Sequence, residues 1–370
     1  MEVLSTRQGA EITESWTYNI DIVSACNLRC PTCPAGHTLR QKKDKGMMSL
    51  ERFEKILVKI NSETPNVAYV GLYNWAEPLL HPQLPEFLQT ARRHEIRISL
   101  STNLNIGRNL DEIIAALPYS IRISVSGFTQ DIYGRTHARG DIEKVKANLI
   151  RLRTILEVSH NKIEIHVAYH CYSDNLGDQY EKMRRFCKDL GFYFLPIIAY
   201  MMPVEKVLNY YDHGDQALAE SDRRILGLLL VHPDEYRKIS IKRGLTDCEL
   251  RSRRTAINWD GSVALCCGVY DDGLNIAPDF LRYDHKELQR LKMNHRFCGQ
   301  CMSHGLHASA LYEGSYSWIR KVRSKGGQRL PKELIRSHLI MESRQRLNRV
   351  FGISTVDKFA GTVRRHLFDA

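Results

Sequence analysis

Cys26-Asn27-Leu28-Arg29-Cys30-Pro31-Thr32-Cys33 follows directly on the apolar run Tyr18–Ser24, and this stretch decides how the rest of the chain is read. Its three thiols stand at C-x3-C-x2-C spacing on one loop, enough to ligate three irons of a [4Fe–4S] cluster and leave the fourth open. An open iron can take a substrate or a cofactor. The competing reading is a zinc knuckle, but structural zinc sites are closed by four ligands and His37 would have to complete the set.

Working outward, short β-branched or aromatic runs alternate with helical patterns. The strands expected are Tyr18–Ser24, Val67–Leu72, Ile96–Leu100, Ile121–Val125, Ile163–Ala168 and Phe192–Pro196. Between them lie helix-like stretches at Ser49–Asn61, Gln83–His94, Leu110–Leu117, Asp141–Val158 and Asn175–Leu190. The longest keeps Val145, Leu149, Leu152 and Leu156 on one face. Such alternation implies parallel strands joined by right-handed crossovers. The fold class expected is α/β, a partial (β/α)6 barrel over residues 18–197, with its site at the C-terminal ends of the strands. Residues 1–17 precede it and 198–247 read as a bridge.

Ten cysteines in a chain of 370 residues fall at 26, 30, 33, 171, 187, 248, 266, 267, 298 and 301. Without a secretory signal the chain is expected in the cytoplasm, where thiols stay reduced, so metal or catalytic use outranks disulfides. No apolar run approaches a membrane span. A second group, Cys248, Cys266, Cys298 and Cys301, has C-x17-C-x31-C-x2-C spacing around the turn signal Asp260-Gly261 between Thr255–Asn258 and Ser262–Leu265. Four thiolates can close a cubane, and a four-thiolate zinc ribbon is the alternative. This small module over 248–310 is expected to need its metal to fold. Cys187 reads as helix packing, and Cys267 has no assigned role.

The first cysteine loop resembles the signature of the radical S-adenosylmethionine (SAM) superfamily. The resemblance covers residues 18 to about 197 and implies that Cys26, Cys30 and Cys33 carry the cluster whose open iron chelates S-adenosyl-L-methionine. Reductive cleavage then gives a 5′-deoxyadenosyl radical that abstracts a substrate hydrogen, with an electron donor such as flavodoxin or ferredoxin as partner. Thr32 departs from the aromatic residue usual beside the adenine, so that packing must come from elsewhere. Asn74-Trp75-Ala76-Glu77-Pro78 resembles the Gly-Glu-Pro motif, with Ala76 for glycine, and implies that Glu77 accepts from the cofactor's amino group. Ser101 and Asn103 after the third strand, and Ser124 and Ser126 after the fourth, correspond to strand ends that offer polar groups to ribose and carboxylate. Ser126 stands where many relatives have Asp. Arg135 or Arg139 is expected to fork onto the carboxylate.

The second cysteine group resembles the SPASM or Twitch extension, implying one auxiliary [4Fe–4S] cluster that moves an electron. Net oxidation of the substrate is then expected, as in the cyclitol dehydrogenases and sulfatase-maturing enzymes that the module resembles. Epimerisation would instead need a thiol donor, for which Cys171 at the end of the fifth strand is the candidate catalytic residue. His166 and His170 share its strand and read as substrate contacts or as structural histidines. The substrate expected is a small polar metabolite: a sugar, aminocyclitol or nucleotide-linked compound. A peptide maturase is the alternative, lowered by the few residues before the first strand.

The formal charge of +11 sits mostly in a tail, where 320–365 hold thirteen basic residues against three acids. A basic helical tail over 311–370 is expected, solvated or docked. RNA binding or modification would use it on phosphates, but Phe351, Phe359 and Phe368 are few aromatics for base stacking. Neither nucleic acid nor membrane is therefore an expected partner.

Overall fold

The computed structural model describes residues 15–36, 46–310, 315–324 and 330–351. Six strands run parallel and pair in sequential order: β1 (Trp16–Ile20), β2 (Val67–Leu72), β3 (Ile98–Thr102), β4 (Ser120–Val125), β5 (Glu164–Cys171) and β6 (Tyr193–Ile198). Helices α1 (Leu50–Glu63), α2 (Leu84–Arg93), α3 (Leu110–Ala115), α4 (Gln130–Thr136), α5 (Ile142–Ser159) and α6 (Asp178–Asp189) make the crossovers. The expected α/β architecture is thus present.

Local chemistry explains the elements. Ser49 accepts from the Arg52 backbone N–H to start α1, whose Phe53, Ile56, Leu57 and Ile60 are buried on one face. Asp141 caps α5 through the Glu143 and Lys144 N–H groups, and the face predicted there is buried. β1 ends at Ile20, earlier than the apolar run suggests, because Asp21 turns to other partners. Its carboxylate accepts from Asn74 N at 2.8 Å, Trp75 N at 3.1 Å and Ala76 N at 3.3 Å, tying the start of the cysteine loop to the loop after β2.

The segment read as a bridge is helical, with α7 (Val204–His213), α8 (Glu220–Leu228) and α9 (Pro233–Lys242), followed by α10 (Glu249–Arg253). The Asp260-Gly261 turn then joins β7 (Arg254–Ile257) to β8 (Val263–Ala264), with β9 (Asn275–Ala277) beside it. Gly261 has φ +90°, a value that glycine adopts readily. This hairpin does not stand apart: β7 pairs parallel with β1, so one nine-stranded sheet runs β6-β5-β4-β3-β2-β1-β7-β8-β9.

Five helices complete the described chain: α11 (His285–Met293), α12 (Arg296–Ser303), α13 (Leu306–Ala310), α14 (Ser315–Ser324) and α15 (Lys332–Phe351). α15 docks on β6. Ser337 Oγ donates to the Pro196 carbonyl at 3.2 Å, and the Ile198 N–H donates to His338 Nε2 at 3.1 Å. Lys325, Arg329, Lys358, Arg364 and Arg365 of the basic tail, with Phe359 and Phe368, lie outside the described residues, as does His37. No helix among the described residues is long and apolar enough to cross a membrane.

Candidate functional site

The loop after β1 brings Cys26, Cys30 and Cys33 to the C-terminal ends of the strands. The Leu28 N–H and Asn103 Nδ2 both donate to Cys26 Sγ, at 3.4 and 3.7 Å. Gly36 closes the loop so tightly that a Cβ there would sit 2.6 Å from the Cys30 backbone nitrogen. Burial pushes the Cys26 thiol up to about 12 and Cys30 well above its usual range, and neighbouring cysteines add to both shifts. Cys33 is raised as well, chiefly by burial. Three desolvated thiols with inward hydrogen bonds want an electropositive centre that takes them as thiolates.

Glu77 stands next to them. It is buried, and it accepts from Leu79 N at 3.1 Å, Thr102 Oγ1 at 2.7 Å and Asn103 N at 2.8 Å. Burial outweighs these donors and lifts its carboxyl to about 7. Among the described residues no cation pairs with it. Asn103 is the hinge of the arrangement, since its backbone holds Glu77 while its side chain reaches Cys26 and Asn27. Ser101 and Ser124 are half-buried on β3 and β4, on the face opposite the buried Leu100, Thr102, Ile123 and Val125.

The remaining expected residues are distributed differently. Ser126 is buried and its hydroxyl is engaged by Thr136 Oγ1 and by His137 Nδ1 at 2.7 Å. Arg135 donates to Asp174 at 2.8 Å and is held at the surface. Arg139 is exposed, one residue past Ala138, whose carbonyl accepts from Arg29 N at 2.8 Å in the cysteine loop.

Cys171 does not share the face of His166 and His170. With Val167 and Tyr169 it lies on the buried side of β5, toward α6, where the Tyr169 and Tyr180 rings meet edge-on at 5.6 Å. Its thiol donates to the Tyr169 carbonyl at 3.6 Å and burial drives its pKa far up. Strand alternation turns it away from the face that carries His166 and His170. Cys187 is likewise buried, in α6.

Sequence reasoning missed several residues here. Asp21 holds the Glu77 loop, as described above. Asn105 donates to the Tyr133 hydroxyl at 2.9 Å, and the Tyr133 ring stacks on His137 at 4.7 Å. Burial keeps His137 near 3 and His170 near 4, both neutral at ordinary pH. Tyr172, just after β5, is buried beside Thr32, an aromatic neighbour for the residue where the loop itself lacks a ring. An aromatic residue so far from Thr32 in sequence leaves no local signal.

The second group is assembled from α10, the β8 end and α12. Cys248 is the residue just before α10, Cys266 accepts from the Gly268 N–H at 3.3 Å, and Cys298 and Cys301 lie on α12. Burial raises Cys248 to about 11 and pushes Cys266 and Cys301 up as well, and Cys248 repels both of the latter when ionised. Lys292 is fully buried among these thiols, donating to the Arg254 carbonyl at 2.6 Å, and burial lowers its ammonium to about 8. A buried ammonium asks for anionic company, which thiolate ligands supply. Among the described residues no three His, Cys, Asp or Glu side chains converge closely enough to grip a single ion.

The two groups are joined at the strand ends. Trp75 Nε1 donates to the Val269 carbonyl at 2.8 Å, and the Val204 N–H to the Gly268 carbonyl at 2.9 Å, so the loop after Cys267 touches the loop that carries Glu77.

Residues 20–168 match the Radical SAM superfamily. The chain is 23% identical over 261 residues to the tungsten-containing aldehyde ferredoxin oxidoreductase cofactor-modifying protein of Pyrococcus furiosus, covering 67% of this chain and 69% of that protein. Among solved structures, hexahistidine-tagged anSMEcpe with bound AdoMet aligns at a TM-score of 0.51 and 17% identity, over 76% of this chain and 82% of the other. Streptococcus suis SuiB bound to S-adenosylmethionine aligns at 0.49 and 14% identity, over 79% and 72%.

Proposed function

We propose that this chain, whose residues 20–168 match the Radical SAM superfamily, works with a [4Fe–4S] cluster and S-adenosylmethionine to abstract hydrogen from a small polar metabolite and oxidise it. The observation that carries this reading is the convergence of Cys26, Cys30 and Glu77, with Asn103 bonded to both Cys26 and Glu77. In this reading residues 18–197 are the catalytic barrel, 198–247 a helical bridge and 248–310 an auxiliary cluster module.

Cys26, Cys30 and Cys33 would hold the cluster. When bound, the cluster and S-adenosylmethionine supply a 5′-deoxyadenosyl radical. The chain's residues place the cofactor and the substrate. Glu77 accepts from the cofactor's amino group, an interaction strengthened because the carboxylate is dry and already oriented by three donors. Ser101 and Ser124 offer hydroxyls on the concave face. Of the two arginines, Arg139 is the better partner for the carboxylate, because Asp174 already occupies Arg135. Ser126 acts through His137, fixing its ring. Tyr172 supplies the aromatic surface that Thr32 does not.

Cys248, Cys266, Cys298 and Cys301 would hold an auxiliary [4Fe–4S] cluster, with Lys292 as buried counter-charge. Four thiolates leave no iron open, so electron transfer is its role. Net oxidation is favoured over epimerisation because Cys171, the thiol suited to return a hydrogen, faces α6. The test is anaerobic turnover of candidate metabolites in deuterated water. Oxidation gives a product two mass units lighter with no deuterium at the reacting carbon. A product of unchanged mass apart from one deuterium, with inverted configuration, would overturn it.

A further inference from the structure

Arg122 is the feature of the concave face that the cofactor shell leaves unused. It lies on β4 with Ser101 of β3 and His166 of β5 as its register partners. Alternation puts it on the face opposite the buried Ile121 and Ile123. Its guanidinium carbon stands 5.9 Å from the centre of the Tyr73 ring, which follows β2. β2 and β4 are separated by β3, so this contact is made across the hollow of the curved sheet.

Arg122 is exposed to that hollow, and among the described residues no carboxylate pairs with it. The surrounding charge is positive. Arg254, opening β7, donates to Thr17 Oγ1 at 3.0 Å and reaches toward the Tyr69 hydroxyl at 3.5 Å. On the same face of β5, Glu164 lies two residues before the register partner His166 and 3.2 Å from its ring. His170 is neutral, held so first by burial and further by the Arg122 charge. The hollow therefore contains a guanidinium beside an aromatic face, with no carboxylate paired to it among the described residues.

Resting on the radical SAM reading of this cleft, we propose that Arg122 determines specificity by receiving an oxyanion of the substrate, a carboxylate or a phosphate. Its Cα is two residues, roughly 7 Å, further down β4 than Ser124, which places it past the cofactor's polar shell and toward the substrate. A planar fork matches either oxyanion in a bidentate pair, and the pair gains strength once cofactor and substrate have displaced water. A cationic substrate such as a free aminocyclitol would be repelled.

The test uses the reconstituted holoenzyme saturated with S-adenosylmethionine under anaerobic conditions. Calorimetric titrations with glutarate and with inorganic pyrophosphate are compared in wild type, Arg122→Met and Arg122→Lys. At least one probe should bind wild type, weaken about ten- to hundredfold in Arg122→Met, and recover in part in Arg122→Lys. Whichever probe binds tells carboxylate from phosphate. Equal binding by wild type and Arg122→Met, or no binding of either probe to cofactor-saturated wild type, overturns the proposal. So does a loss in Arg122→Met of cofactor affinity with probe affinity unchanged, since Arg122 would then serve the cofactor. Failure of wild type to bind S-adenosylmethionine at all is a different result: it removes the radical SAM reading and this proposal with it.

Discussion

Glu77 combines two things that rarely coexist: complete burial and a carboxylate with no cation beside it among the described residues. Its donors, Leu79, Thr102 and Asn103, orient the oxygens without neutralising them. Because burial raises its carboxyl to about 7, the group is largely protonated below that pH and accepts poorly. Binding an amino group selects the ionised form. Affinity for S-adenosylmethionine should therefore fall as pH drops from about 8 to 6 in wild type. Glu77→Gln should bind about ten- to hundredfold more weakly at pH 8 and lose that pH dependence, both read from binding titrations on cluster-loaded protein. Lys292 poses the converse problem, a buried ammonium among thiols. Lys292→Met should lower the reduction potential of the auxiliary cluster, because a positive charge beside a reducible centre favours the added electron; a redox titration followed by electron paramagnetic resonance reads it.

At the scale of elements, the strand ends work because their loops are tied to one another. Asp21 is the main fastening, accepting from the N–H groups of Asn74, Trp75 and Ala76. Asp21→Ala should cost on the order of 1–3 kcal/mol in unfolding free energy, measured by denaturant titration, as buried donors lose their acceptor. It should also weaken cofactor binding, since the same loop carries Glu77. Nothing local in the sequence marks Asp21 for this role, because its partners lie some fifty residues away. The same limit explains the other gaps. Period and spacing made the six parallel strands legible, with β2 at Val67–Leu72 as expected, and they made both thiol groups visible. Pairing of β7 with β1 joins segments more than two hundred residues apart, and no periodicity encodes a partner at that distance. Cys171 shows a subtler failure. Its place at the end of β5 was legible, but its face depends on register, and every odd-numbered residue of that strand is buried.

For the molecule as a whole, a single sheet connects two thiol groups that are chemically separate. Each is assembled from its own elements, the first from the loop after β1 and the second from α10, β8 and α12. Their independence can be counted. A variant with Cys26, Cys30 and Cys33 all changed to Ala should retain the auxiliary cluster and carry about half the wild-type iron after anaerobic reconstitution. The measurement that bears most directly on the central claim is the yield of 5′-deoxyadenosine from S-adenosylmethionine under reducing, anaerobic conditions, in wild type and in this triple variant. Wild type should form it and the variant should not. Undiminished formation by the variant, or none by a wild type carrying its full iron, would contradict that claim.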